Sequence, residues 1–401
     1  MEGREFRART VADKAPSGSH MRNKGDRLLT LALEQQSILD IGNCKQFSKI
    51  KVQTGLFDFR IVLTPHAGND LESKPMSSTD KVFPLIVQQD AVRKALPHLD
   101  VRGALTRMFL ALANNAAVQP AQTFTPFPQR AGDFITYLGV LAEAKVFGAK
   151  LSPYIVTESK PVITAWTALM SMETGQPLMW CDAGLLTVER TAGATALAVD
   201  HLAAPNARRL AIVGAGAVGQ AHVRHLAALR PWDLISVFSP ELAGNEAKRA
   251  AIGALDERVL VCTRLEDCLR DADVVALCTS SGTPVLSEDR LTKPALITSI
   301  STNVANAHEI SPAWLPGMEV YCDYRPTTPG SAGEMKLAAQ LHDWSPDRVL
   351  GDLPELVSGM ARKPSGQQHV VFRSIGLGLE DVAIANELFR HIVAQHSYMA
   401  K

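Results

Sequence analysis

The run Leu210-Ala-Ile-Val-Gly214-Ala215-Gly216-Ala217-Val218-Gly219 has the residue types and spacing to cradle a diphosphate. A short apolar segment ends in glycines spaced Gly-x-Gly-x-x-Gly and opens into the helix-like stretch Gln220 to Leu229. Gly214 permits a tight turn, Gly216 lets the backbone approach a pyrophosphate, and Gly219 lets the helix pack closely on the strand. The loop then offers free N–H groups and the positive end of a helix dipole to the anion. The implied chemistry is dinucleotide binding.

Which dinucleotide depends on the end of the next strand. NAD enzymes carry an Asp or Glu there for the ribose 2′-hydroxyl, whereas this strand ends Val237-Phe238-Ser239-Pro240. The missing acid removes repulsion against a 2′-phosphate, and Ser239 can donate to one, so the reading leans to NADP with NAD left open. Glu241, Lys248 and Arg249 lie close by, and the sequence does not set their direction. His222 and His225, spaced i and i+3, have no third ligand near them in sequence and read as helix-face histidines, so no metal site is expected.

The elements that must position this loop alternate. Leu210–Val213, Leu234–Phe238, Val259–Thr263, Val274–Cys278 and Leu296–Ile300 read as strands with helical stretches between, and Met318–Cys322 as a possible last strand. That alternation predicts an α/β fold with a parallel, doubly wound Rossmann sheet over residues 206–339. Ligands lie at the carboxyl ends of such strands, which places Thr279, Ser280, Ser281 and Ser301-Thr-Asn303 in the crevice. His308 falls near it and reads as a loop histidine with a possible proton-donor role.

Residues 81–205 and 340–401 then form a second, α+β domain into which the Rossmann unit is inserted. Asp100 caps a helix running to Ala113, Asp133–Val140 and Lys150–Val156 read as strands around Ala142–Phe147, and Ala165–Met172 pairs with Leu178–Asp182 across a turn. Leu186–Leu202 is a long helix stopped by Pro205. The tail from Leu350 is expected to return to this domain, with Asp381–Gln395 as its final helix.

At 401 residues with 46% hydrophobic content, the chain has material for two cores. Lys plus Arg equals Asp plus Glu at 41 each, so no net field favours nucleic acid or an anionic membrane. No apolar run reaches the length of a membrane span, and the six cysteines show neither zinc nor disulfide spacing. A cytoplasmic enzyme is the simplest reading. Residues 1–80 are taken as tag, misassigned start or disordered extension: Ser-Gly-Ser-His-Met resembles a cloning scar, with a short helix over Leu28–Leu39 and a strand over Phe57–Thr64.

Three segments resemble the ornithine cyclodeaminase/mu-crystallin family. They are Glu173-Thr-Gly-Gln-Pro-Leu with Leu186-Thr-Val-Glu-Arg190-Thr191-Ala-Gly-Ala, then Gly351-Asp-Leu-Pro-Glu-Leu-Val-Ser-Gly359, and Val371-Phe-Arg-Ser-Ile-Gly376-Leu-Gly-Leu-Glu-Asp381. All occur in family order around the central Rossmann unit, over about residues 83–398. The resemblance implies a two-domain subunit that forms a homodimer through its non-Rossmann domain. It also implies hydride transfer between a nicotinamide and the α-carbon of an amino or imino acid.

On this resemblance Arg190 and Lys150 are the catalytic pair and grip the substrate carboxylate, a task suited to a guanidinium fork. Thr191 touches the pyrophosphate, Gly376 lies at the substrate, and Asp381 is a first-turn helix acid favoured by the dipole. Gln122 stands where many members carry a substrate arginine, an exchange that forfeits about 1–2 kcal/mol of charge assistance. Gly282 stands where cyclodeaminases carry a proton-handling aspartate, and glycine does no acid–base work. The implied function is therefore NAD(P)H-dependent reduction of a small cyclic or acyclic α-imino acid to an L-amino acid. The alternatives are an ornithine or lysine cyclodeaminase, an opine-like condensing synthase, and a nucleotide-regulated binding protein.

Overall fold

The computed structural model describes residues 47–55, 58–65, 84–302 and 306–399. The chain divides into two compact units, Met1–Asp80 and Lys81–Lys401. In the first, Phe47–Gly55 and Asp58–Pro65 form an antiparallel hairpin whose register pairs Ile50 with Leu63 and Val52 with Ile61. The strand expected near 57–64 is thus found from Asp58, and its partner was not foreseen. The helix expected over 28–39 lies outside the described residues.

The second unit contains two sheets. The nucleotide sheet has eight parallel strands in the order Val259–Cys262, Leu234–Phe238, Arg209–Val213, Val274–Leu277, Leu296–Ser299, Val370–Arg373, Glu319–Cys322 and Val349–Asp352. Its central strands are buried on both faces: Val274–Leu277 and Leu296–Ser299 are buried throughout. That accounts for their continuous apolar runs. Order reverses between Arg209–Val213 and Val274–Leu277, so the crevice opens between their carboxyl ends.

Two corrections follow from this topology. Val349–Asp352 and Val370–Arg373 pair inside the nucleotide sheet, so the chain does not leave that sheet at residue 340. Four-residue apolar runs carry no periodicity that assigns them to one sheet or another. Of Ala142–Phe147, expected between two strands, only Ala142–Lys145 is a turn between Gly132–Leu141 and Val146–Ile155, and Val146 and Phe147 begin the second strand.

The other sheet runs Leu85–Val87, Pro177–Asp182, Trp166–Ser171, Val146–Ile155, Gly132–Leu141 and Ala117–Val118, antiparallel except at its first pair. Asp100 caps the helix Val101–Ala113 by accepting from Gly103 N at 2.9 Å, as expected from its type. The helix Gly184–Leu202 is buried from Ala192 to Val199 on every side. A helix apolar all round belongs between layers, and this one carries Arg190 and Thr191 on its N-terminal half. The last helix, Gly378–Met399, packs on Gly132–Leu141 and brings its first turn beside them.

Candidate active site

At the reversal point lies a cavity of about 930 Å³. Lys150, Arg190, Thr191, Gly214, Ala215, Gly216, Ala217, Val218, Ser239, Thr279, Ser280, Ser281 and Gly376 all line it, drawn from both sheets and the helix between them. Gly219 stands one layer back. A Cβ there would lie 2.0 Å from Gly214 O, so its place is to let the helix Ala217–Ala227 close on the strand.

The glycine loop fits a dinucleotide. Gly214 has φ +117°, and a Cβ on it would meet Cys278 O at 2.4 Å, so only glycine fits both the turn and the neighbouring strand. Gly216, the N-cap of the helix, supplies no side-chain acceptor, leaving the first-turn N–H groups for an anion. A Cβ on Gly216 would meet no protein atom within 4 Å, and the space beside it belongs to the cavity.

Opposite this loop, buried Glu309 ties two strand ends together. It accepts from Thr279 N at 2.8 Å, Thr279 Oγ1 at 2.6 Å, Ser299 Oγ at 3.0 Å, Ile300 N at 2.9 Å and Ser301 N at 3.1 Å. Five donors on one carboxylate make a rigid wall. Its neighbour His308 is not in the cavity lining; its Nδ1 lies 2.7 Å from Asn306 O.

The charged end of the cavity is a buried quartet. Arg190 Nε donates to Asp381 Oδ1 at 3.1 Å and Arg190 Nη1 to Glu380 Oε2 at 3.0 Å. Lys150 Nζ lies 2.8 Å from Asp381 Oδ2, 3.5 Å from Thr187 Oγ1 and 4.2 Å from the centre of the Tyr137 ring. Lys150 is 1% and Arg190 5% exposed, so these charges interact with little screening. Burial, helped by repulsion from Arg190, pulls the Lys150 ammonium down to about 8 against the pull of Asp381. Burial pushes the Glu380 carboxyl up to about 8 despite Arg190, and the Tyr137 hydroxyl up to about 12. Burial also opposes the Arg190 charge, but Asp381 and Glu380 outweigh it and raise its pKa.

Asp381 is therefore more than a helix-start acid: its two oxygens bridge Lys150 and Arg190. Glu380, Tyr137 and Thr187 were not anticipated. The adjacent acids Glu380-Asp381 at a helix start were a visible signal; nothing local pointed to Tyr137. Gly376 faces the same guanidinium. It has φ +76°, and a Cβ on it would lie 2.2 Å from Arg190 Nη1. Asp323 holds that turn, its Oδ2 accepting from Ser374 Oγ at 2.9 Å, Ile375 N at 2.7 Å and Gly376 N at 3.0 Å.

Gln122 is not brought into the cavity. It precedes the edge strand Thr123–Pro126, and the residue of its segment that reaches toward the site is Gln119, whose Oε1 accepts from Leu379 N at 2.8 Å. One register step along an extended segment reverses a side chain's face, which sequence spacing alone did not resolve. His222 is fully buried between Val218 O at 2.8 Å and Thr195 Oγ1 at 3.0 Å, and His225 pairs with Glu189 at 2.8 Å. Glu241, two residues beyond Ser239, lines the cavity, so an acid does stand near the end of Leu234–Phe238.

A model of the ornithine cyclodeaminase/mu-crystallin family matches residues 85–396. The chain belongs to that family. It is 52% identical over 307 residues to the NAD(P)H-dependent anabolic L-arginine dehydrogenase DauB of Pseudomonas aeruginosa, covering 77% of this chain and 97% of that protein. A Delta(1)-pyrroline-2-carboxylate reductase of Bacillus cereus is 22% identical over 319 residues, with 77% and 97% covered. Among solved structures, a probable ornithine cyclodeaminase of Bordetella pertussis superposes with a TM-score of 0.69 at 26% identity, covering 79% of this chain and 99% of that one. The iminosuccinate reductase of Paracoccus denitrificans in complex with NAD+ has the same fold, with a TM-score of 0.69 at 23% identity, covering 78% and 97%. This family member is an NAD(P)-dependent oxidoreductase acting on CH–NH or C=N bonds.

Proposed function

We propose that the chain reduces the C=N bond of a small α-imino acid to an L-amino acid with NAD(P)H, and that the imino acid is acyclic and carries a guanidinium side chain. The 52% identity to an L-arginine dehydrogenase over nearly its whole length carries the choice of substrate. The pairing of Lys150 and Arg190 on one wall of a dinucleotide-shaped cavity carries the choice of reaction.

When bound, the reduced nicotinamide supplies the hydride. Arg190 commits two of its five donors to Asp381 and Glu380, and the rest serve the substrate carboxylate. Lys150 Nζ gives the proton that the imine nitrogen takes up as its carbon is reduced, and an acid with a pKa of about 8 is matched to that task. Asp381 holds both cations through its two oxygens, and the Tyr137 ring lies against the Lys150 ammonium. Thr191 and the glycine loop hold the pyrophosphate. Gly282, at the position where cyclodeaminases carry a proton-handling aspartate, has no side chain to move a proton and is absent from the cavity lining, which counts against the cyclodeaminase reading.

The enzyme works as a cytoplasmic homodimer. Phe124, Tyr154, Ile155, Val162 and Ile163, all on the antiparallel sheet, are exposed by 40–69%, an apolar surface suited to a second copy. The described cysteines are free and buried, as in a reducing compartment.

The deciding assay follows NADPH and NADH oxidation with the guanidino 2-oxo acid plus ammonia, beside five- and six-membered cyclic imino acids. Oxidation fastest with the guanidino substrate is expected, and Arg190→Ala lowers kcat/KM by about 100-fold. Ammonia release from ornithine without net nucleotide oxidation overturns the reading, as does an unchanged Arg190→Ala enzyme.

A further inference from the structure

At the cavity's nucleotide end, Glu241 of the lining pairs with Lys248 just outside it, and the two have opposite preferences for the two nicotinamide dinucleotides. The strand Leu234–Phe238 ends at buried Ser239, whose hydroxyl lies 3.5 Å from Glu241 Oε1. Pro240–Leu242 makes one 3-10 turn that sets Glu241 into the cavity wall. The following helix, Glu246–Gly253, is capped by Asn245, which accepts from Lys248 N at 2.9 Å. From that first turn the Lys248 ammonium pairs with Glu241 Oε1.

Of the neighbouring cations, Arg249 is held within the turn itself. Arg249 Nη1 donates to Leu242 O at 2.9 Å and Ala243 O at 3.1 Å, which stitches the turn to the helix. Arg264, beside the cavity-lining Leu265, pairs loosely at 3.6 Å with Glu266 in the first turn of the helix Leu265–Leu269, and both are exposed. The Glu241 and Lys248 side chains are 53% and 27% exposed, so water screens their attraction and either can change partner.

A ribose 2′-hydroxyl is a donor that a carboxylate accepts. A 2′-phosphate is an anion that a bare carboxylate repels and an ammonium attracts. We propose that Glu241 and Lys248 together set the choice between NADH and NADPH, and that this pair lets the chain use both. With NADH, Glu241 accepts from the 2′-hydroxyl while Lys248 stays on its other side. With NADPH, Lys248 leaves Glu241 for the 2′-phosphate, and Ser239 adds a neutral donor. The inference rests on the reading of this cavity as an NAD(P)H site.

The test measures dissociation constants for NADPH and NADH by nicotinamide fluorescence on the full chain and on Lys248→Ala, Lys248→Arg and Glu241→Gln. Lys248→Ala moves the NADPH-to-NADH ratio about tenfold against NADPH, because Glu241 then faces the phosphate uncompensated. Glu241→Gln moves it about tenfold the other way, and Lys248→Arg restores the wild-type ratio. Raising salt from about 50 to about 500 mM weakens NADPH more than NADH in the wild type. Variants that shift both nucleotides by one common factor overturn the inference and leave the reductase reading standing. A wild-type chain that binds neither nucleotide removes the reductase reading, and this inference with it.

Discussion

Lys150 is where residue chemistry is most exposed to test. Its folded pKa lies near 8, below the usual lysine value, because burial disfavours the charge. In the proposed reaction the protonated form is the acid for imine reduction, so it is available below that value and lost above it. Reductive kcat/KM should therefore fall about tenfold per unit above roughly pH 8, and oxidation of the amino acid should rise over the same range. Lys150→Arg, whose side chain does not titrate, removes that limb; a limb that persists in the variant belongs to another group. Gly376 is the second residue-scale test. Alanine there meets both a positive φ and the Arg190 guanidinium. Urea unfolding should show a loss of about 1–3 kcal/mol, and KM for the imino acid should rise more than KM for the nucleotide. Equal changes in both would place the strain elsewhere.

Elements rather than residues decide the nucleotide loop. The strand Arg209–Val213 and the helix Ala217–Ala227 touch at Gly219, whose Cβ position overlaps a backbone oxygen. Backbone cannot yield as a side-chain tip does. Gly219→Ala should weaken nucleotide binding by about tenfold or more through an opened loop, read by titration with NADPH. A variant that binds as tightly as the wild type would show that the helix can shift without cost. The helix Val101–Ala113 is the contrast. Asp100→Ala removes its cap and should cost about 1 kcal/mol, seen as a lower thermal midpoint with kcat/KM retained. Both signals were legible locally, since a capping aspartate and a glycine triplet act within one turn of themselves.

For the whole molecule, the exposed apolar residues Phe124, Tyr154, Ile155, Val162 and Ile163 of the antiparallel sheet are the surface to test. If two copies cover it, Phe124→Asp combined with Ile163→Asp should shift sedimentation toward the monomer at micromolar concentration. An unchanged dimer would place the interface elsewhere, and a wild-type monomer would remove the proposal. At this scale the chain also departs from its linear plan. The strands Val349–Asp352 and Val370–Arg373 complete the nucleotide sheet before the last helix crosses to the other one. The Rossmann unit is thus closed by segments that the sequence order assigns to its neighbour.

Sequence alone determined the elements whose signals are local. These are the glycine loop, the alternating strands up to Leu296–Ser299, the Asp100 cap, and the long helix carrying Arg190. Each is written in a periodicity or spacing within some twenty residues. The family resemblance added Lys150 and Arg190 as candidate catalytic residues. Tertiary structure alone decided what stands beside them. Arg190 meets Asp381 across 191 residues of chain, and Leu379 N meets Gln119 across 260. It also turned Glu241 into the cavity and left Gln122 outside it. The physical reason is that an extended or looped residue reverses its face with a single step of register, and only packing against distant elements fixes that step.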